Sequence, residues 1–385
     1  MPFKIDQIAV GDKKLRDFVA VPWAIHKGDP YWTPPLRADL LGNRLFGMTG
    51  LLTREHPYHQ EAEATHFVAR QGRQLVGRVS AAVNRRYNDY YGARIGSFGF
   101  FDVAPDYALC EALLDRAKAW LADRGMDVMR GPGGYSNATH EAHQAVLVDG
   151  FDSPPTIELT HNPPYYGEFL ERYGLAKVKD YHAYLIVLPD RPPERIERIA
   201  KLVRRRRAVE TREVNLRDVR GEVDKIVQIY NEAWSKNWGF LPLSDAEAEA
   251  MAASLKLVAD PGLIRFATVG GELAAVLGNL PDPNLAFRPR WNRFADSDIS
   301  RVLRLLATRR RIRSSRLMFF GVRPAFRKLG IDAVLYYEVQ KYMIERGYKT
   351  CEPSMLLEDN DLILRASDFM GGEKHKTWRV YEMEI

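Results

Sequence analysis

The chain is poor in cysteine. Its 385 residues include two, Cys110 and Cys351, with no Cys-x-x-Cys pair and no cysteine–histidine spacing of the kind that builds a structural zinc site. So few thiols suit a reducing compartment. Long apolar runs are also missing. No uncharged stretch approaches the ~18 residues needed to cross a bilayer, and the opening MPFKIDQIAVGDKK contains no apolar signal segment. Neither a helix-turn-helix nor an aromatic RNA platform is present, which argues against a nucleic-acid partner. GPGGYSN at 131–137 is loop-forming but is not a phosphate loop, because no lysine follows its glycines. The expectation is a cytoplasmic protein, with no metal, that touches the inner membrane at most peripherally.

What is present is ordinary globular composition: 46% hydrophobic residues, 28% charged, and a net charge of +6. The length allows two domains of about 100–200 residues each. The mild basicity suits an anionic partner without choosing among phosphates, lipid and nucleic acid.

The chain repeats itself. Leu109, Cys110, Leu113, Leu114, Ala117, Trp120 and Leu121 form one helical stripe that ends at Gly125, and Leu335, Tyr336, Val339, Tyr342 and Met343 form another that ends at Gly347. Each leads into a short strand, at 126–131 and 348–353. Upstream of each lies a hairpin, turning at Gly72 and at Gly270–Gly271. Downstream, Asn162 to Gly174 and Asn360 to Gly372 have the same spacing of twelve, and each is followed by a last strand. Each half therefore reads hairpin, strand, helix, strand, helix, strand, a mixed α/β (α+β) unit. The division falls at residues 1–190 and 191–385, with Pro193 near the start of a helix, where proline is favoured. The first half carries about two dozen extra residues before Asn162. The second carries an Arg- and Pro-rich insertion at 281–316.

The sharpest local signal is RLMFFGVRPAFRKLGIDAV at 316–334: a strand through Val322, a basic loop, then a helix. Backbone N–H groups at a helix N-terminus form a pyrophosphate site. Gly330 lets the backbone approach a ligand, and Arg323, Arg327 and Lys328 supply charge. The expected cofactor contacts are Phe320, Val322, Arg327, Lys328, Leu329, Gly330, Ile331, Asp332 and Ala333. Asp332 would disfavour a pyrophosphate unless it points away or caps the helix. The matching stretch of the first half, FFDVAPDYALCEALL at 100–114, has Asp102 and Asp106 and no Arg or Gly. It is expected to repel phosphates, leaving that half to shape an acceptor pocket.

Arg327 and Gly330 resemble the acyl-CoA signature of the acyl-CoA N-acyltransferase (GNAT) superfamily, with Asp332 departing at its last small position. The helix beginning at Asn360 and the final strand resemble the end of that fold, which adds Asn360 to the cofactor contacts. Where the superfamily often places a tyrosine acid, this chain has Ser367 or Asp368, so Tyr337 and Tyr381 are the substitutes, either of which could be core. Across nearly its whole length the chain resembles bacterial tandem-GNAT proteins, the group that includes bacterial ceramide synthases. The resemblance is carried by DPYWTPPL at 29–36, GSFGFFDV at 96–103, RGPGGYSNATHEAHQAVLVDGFDSPP at 130–155, NPPYYGEFLERYGLAKVKDYHAY at 162–184 and GVRPAFRKLGIDAVLY at 321–336. It implies two tandem GNAT-like domains, acyl-CoA as a substrate, and transfer of a fatty acyl group to an amine on a sphingoid-type lipid.

That reaction needs a base for the amine, a donor for the thioester oxygen and a route for the thiolate. Backbone N–H groups from Phe320 to Val322 could hold the oxygen. Glu352 is the first base candidate and Glu358 the second; either could instead be a surface or helix-capping carboxylate. Cys351 reads as a buried thiol rather than a nucleophile. His140, Glu141, His143 and Tyr165 are candidates for acceptor binding. The two histidines could share a helical face, but a metal would need a third ligand. The runs Lys201 with Arg204 to Arg207, and Arg309 to Arg311 with Arg313 and Arg316, read as solvated helix faces able to meet anionic lipid. The reading from another class is a non-catalytic module that binds acyl-CoA or docks on membrane. Asp332 and the absent tyrosine favour that rival; Glu352 and the Arg327–Gly330 pair favour the enzyme.

Overall fold

The structure is a computed structural model that describes residues 2–44, 47–133 and 144–385. Two compact units emerge. The first comprises Met1–Tyr181, Ala286–Ala307 and Lys376–Ile385, and the second His182–Leu285 and Thr308–His375. They follow the two halves of the repeat except at three places, which were not evident from the 1–190 and 191–385 division: the last strand of each half, and the Arg-rich insertion.

In the first unit the strands Lys4–Ala9, Ala62–Gln71, Gln74–Asn84 and Ile95–Val103 pair antiparallel in that order. Ile95–Val103 then runs parallel to Val128–Gly131, with Ile95 opposite Val128 and Ser97 opposite Arg130. The next partner comes from the end of the chain: Tyr381 lies opposite Gly131 and Glu384 opposite Val128. The helix Tyr107–Ala122 packs its expected stripe inward, with Leu109, Cys110, Leu113, Leu114, Ala117, Trp120 and Leu121 all buried. Each fully buried leucine contributes roughly 1.5–3 kcal/mol.

The second unit repeats the pattern. Val209–Glu213, Ile264–Val269, Glu272–Pro281 and Ser314–Val322 pair antiparallel, and Ser314–Val322 then runs parallel to Thr350–Pro353. Here the outer partner is the last strand of the first half, Ala176–Val187, whose Ile186 lies opposite Cys351 and whose Val187 lies opposite Thr350. The final strands of the two halves are thus exchanged. Ala176–Val187 begins in the first unit and ends in the second, and Gly372–Glu384 does the reverse. The helix Ile331–Glu345 buries Leu335, Val339 and Met343 as its periodicity required, with Tyr336 and Tyr342 half-buried.

The insertion, whose basic run from Arg309 to Arg316 was expected to be solvated, also holds a buried arginine outside that run. Its helix Asp298–Thr308 buries Arg301 completely, with Leu305. Arg301 donates to the carbonyls of Pro34 and Pro35, and the Asp298 carboxylate accepts the N–H groups of Arg37 and Ala38 at 3.0 and 2.8 Å. Arg316 is likewise a buried strand residue, its Nε donating to Ser354 Oγ at 2.7 Å. Arg205 to Arg207 and Arg309 to Arg311 are exposed as expected, while Arg204 pairs with Glu338 at 3.0 Å.

Candidate active site

The parallel strands of the second unit pair only from Ser314–Thr350 to Leu317–Pro353. Beyond that rung Ser314–Val322 continues while its neighbour ends, and a gap opens. Arg323 donates its N–H to Ala274, on the side away from the gap. Strand alternation therefore turns the N–H groups of Phe320 and Val322 toward the gap. Trp234 Nε1 donates to the Phe320 carbonyl at 2.9 Å and fixes the strand there.

At the end of this strand, residues 323–330 form an exposed loop pinned at both ends. Arg323 is fully engaged with Glu232, Glu272 and the Leu273 carbonyl, at 2.8, 3.2 and 2.7 Å, so it is not the free phosphate ligand expected from sequence. Leu329 and Ile331 anchor the other end in the core. Between them Arg327 and Lys328 are exposed, and Arg327 donates to the Ala233 carbonyl at 2.8 Å. Lys328 and Gly330 adopt positive φ, 65° and 78°. Gly330 is the N-cap of Ile331–Glu345 and no side chain caps that helix, so its first N–H groups face outward together with its positive dipole end. Asp332 is exposed and does not cap; Ala333 is half-buried behind it.

Below the gap lies an apolar cavity of about 50 Å³, lined by Leu317, Pro353 and Cys351 of the two strands and by Tyr336, Val339, Gln340 and Met343 of the helix. Ile363, Ala366, Ser367 and Met370, around the helix Asp361–Phe369, form its other wall. That is room for roughly four waters. A longer chain requires side chains to give way, and Met343 and Met370 are the adaptable ones. Burial pushes the Cys351 thiol up to about 12, which agrees with an inert thiol. Ser367 spends its hydroxyl on the Ile363 carbonyl at 2.9 Å.

Alternation places Glu352 on the strand face opposite Cys351. It is buried, with His375 Nε2 3.1 Å away. Glu358 is half-exposed in the turn before Asp361–Phe369, and Asn360 is that helix's N-cap without a side-chain cap bond. Tyr337 turns to Glu197 on another helix, 3.5 Å from its hydroxyl, whereas its neighbour Tyr336 lines the cavity and packs against Phe320. Tyr336, Gln340 and Asn279 escaped sequence reading. The one signal was a glutamine inside an otherwise apolar helical stripe.

In the first unit the chain, among the described residues, stays bonded to its strand at the rung corresponding to Leu317. Gly133 donates its N–H to the Phe98 carbonyl at 2.8 Å, and a Cβ added to Gly99 would meet the Gly133 oxygen at 2.4 Å. Past that rung the Val103 N–H, in the position of Val322, is taken by the Tyr166 hydroxyl at 3.0 Å. Asp106 caps Tyr107–Ala122 by accepting the Ala108 N–H at 3.0 Å. Asp102 is buried between Arg78 and His26, at 2.7 and 3.1 Å. Burial alone would raise its carboxyl; Arg78 and His26 outweigh that and hold it below the usual carboxylate value. Burial opposes the charge on His26, yet Asp102 and Asp29 pull it above the ordinary imidazole value. Asp29 also accepts the Tyr31 N–H at 2.8 Å and lies 3.3 Å from His161 Nε2. His161 Nδ1 is buried with no partner among the described residues. The Tyr165 hydroxyl, expected at an acceptor site, donates to the Val103 carbonyl at 2.8 Å. His140, Glu141 and His143 lie outside the described residues. Among the described residues no cluster of His, Cys, Asp and Glu could hold a metal, and no helix is long and apolar enough to cross a membrane.

No family model matches the chain. It is 31% identical over 378 residues to bacterial ceramide synthase of Caulobacter vibrioides, covering 97% of this chain and 95% of that one. The chain belongs to that family. Protein YghO of Escherichia coli is 27% identical, covering 96% and 93%. The fold matches a tandem GNAT protein from the clavulanic acid biosynthesis pathway, with a TM-score of 0.55 at 13% identity over 100% of this chain and 98% of the other. It also matches a GCN5-related N-acetyltransferase from Sphaerobacter thermophilus, with a TM-score of 0.53 at 16% identity over 99% and 95%. The protein is a tandem-GNAT enzyme, an acyl-CoA-dependent N-acyltransferase.

Proposed function

We propose that the second unit binds acyl-CoA along the gap and loop, and that the enzyme passes a long fatty acyl group to the amine of a sphingoid-type lipid. In that reading the diphosphate rests on the N–H groups at Gly330 to Ala333, with Arg327 and Lys328 beside it. The thioester lies against Phe320 and Val322, whose N–H groups stabilise the oxyanion. Glu352 takes the amine proton. The carbon–sulfur bond breaks as the amide forms, and the proton leaves with CoA as the free thiol. Tyr337, bonded to Glu197, has no place in this scheme; Glu358 is the alternative base, and Asn360 is given no role.

The observation that carries the reading is the gap: of the two repeats, one keeps its parallel strands apart beside an uncapped helix, and an apolar cavity lies beneath. Support for a lipid acceptor comes from the insertion. Asp298–Thr308 is inside out. It buries an arginine and exposes Ile299, Leu303 and Leu306, which share one face, with Phe294 81% exposed just before it. Between residues 288 and 304 five arginines accompany two aspartates, and Arg290 and Arg293 are exposed. An apolar face rimmed with arginine suits an anionic lipid surface, each charge adding about 1 kcal/mol.

The test is CoA release from acetyl and long-chain donors across a panel of amines. Turnover confined to long donors with sphingoid-type bases is expected. Turnover with acetyl-CoA and water-soluble amines would overturn the lipid assignment, and CoA binding without any turnover would favour the non-catalytic module.

A further inference from the structure

The apolar cavity beneath the gap is also lined by two amides, Gln340 and Asn279, that carry unsatisfied atoms. Gln340 is 3% exposed, and neither its Nε2 nor its Oε1 has a hydrogen-bond partner among the described residues. Asn279 is 2% exposed. Its Oδ1 has no partner either, and its Nδ2 meets only sulfur, Cys351 Sγ at 3.4 Å and Met343 Sδ at 4.0 Å. Both are held where they are by packing. Gln340 stands between Val339 and Met343 on the buried side of its helix, and Asn279 follows the irregularity in register at Gly278.

A cavity meant for a saturated chain would be better lined by leucine or methionine at both positions, because a buried amide without a partner destabilises the fold. Two amides together offer donors and acceptors whichever way each is flipped. The group that answers both is a hydroxyl, which donates one hydrogen bond and accepts two.

We infer that the cavity receives the acyl chain of the donor and that Gln340 and Asn279 form a subsite for a hydroxyl group on that chain, so that the preferred donor is a hydroxyacyl-CoA. The inference rests on the acyl-CoA reading of the gap: Leu317 and Pro353, the last paired rung before the strands part, are also the cavity's first walls. A site built to hydrogen-bond a hydroxyl discriminates against the analogue that lacks it, because the amides are then stranded against methylene.

The test compares acyl-CoA donors of equal length, saturated or carrying one hydroxyl at successive carbons, with a single amine acceptor. One hydroxylated donor should exceed the saturated donor in kcat/KM by at least tenfold. Gln340→Leu should invert that ratio, lowering the hydroxylated donor and raising the saturated one, and should raise the Tm of the ligand-free enzyme. Gln340→Met, closer in shape, provides the same readout should the leucine variant fold poorly. Equal kcat/KM across the series, or a preference that survives both variants, overturns the subsite while leaving the N-acyltransferase reading intact. Failure to release CoA from any donor overturns both.

Discussion

The N–H of Gly133 donates to the carbonyl of Phe98 at 2.8 Å, which holds the first repeat's chain to its strand at the rung corresponding to Leu317 and Pro353, the last pair in the second. Past that rung the Val103 N–H, in the position of Val322, is already taken by the Tyr166 hydroxyl at 3.0 Å. Titration of the enzyme with CoA in a calorimeter should therefore give one site per chain. Two sites of comparable affinity would show that the first repeat binds as well.

Glu352 lies buried beside His375 on the strand face opposite Cys351. Removing a general base costs about 10²–10⁴ in rate. Glu352→Gln should thus lower kcat by about a hundredfold or more while the KM for acyl-CoA stays within about twofold, since the carboxylate is assigned to the amine and not to the donor. Glu358→Gln should change kcat little. Steady-state kinetics of the two variants decide between them, and a larger loss at Glu358 would move the base there.

Leu303 and Leu306 face outward from Asp298–Thr308, so replacing them disturbs no core. Exposed substitutions of this kind alter stability by about 0.5 kcal/mol or less. The double change Leu303→Glu and Leu306→Glu should leave Tm nearly unchanged and reduce cosedimentation with anionic phospholipid vesicles about tenfold or more. Salt should weaken the binding of the unaltered enzyme, because screening acts on its arginines. Unchanged sedimentation of the variant would exclude this face.

His26 and Asp102 bring opposite pH dependences. The His26 value is raised on folding, so its stabilisation is complete below the unfolded value of about 6.5 and fades as pH rises through the folded value. The Asp102 value is lowered, so its stabilisation is present above about 3.8 and fades as pH falls. Both act together between about pH 4 and 6.5, and Tm should decline from pH 6 toward 8. Asp102→Asn should flatten that decline and cost about 3–5 kcal/mol, because it leaves Arg78 buried and uncompensated. Thermal unfolding across pH checks both effects.

Much of this was legible in the sequence because the decisive signals were local. The stripe from Leu109 to Leu121, the turns at Gly72 and Gly270–Gly271 and the strand–loop–helix around Gly330 each lie within about twenty residues, and periodicity or turn chemistry specifies them. What escaped depends on distance along the chain. Asp29, His161, His26 and Asp102 come from three well-separated segments, and no spacing announces their meeting. Arg316 read as solvated because buried arginine is rare; its partner Ser354, like the Pro34 and Pro35 carbonyls that meet the buried Arg301, is supplied by another segment. Gln340 stood in plain view within its stripe, yet only a cavity gives an unpaired amide meaning.

The exchanged last strands bear on how the protein is made. The neighbour of Val128–Gly131 is supplied by residues 381–384, so a ribosome must travel far past Gly131 before the first unit has that strand. Until then the edge at Val128 stays bare, and the nascent first half waits, dependent on chaperones or on speed of translation, for a partner more than two hundred residues downstream.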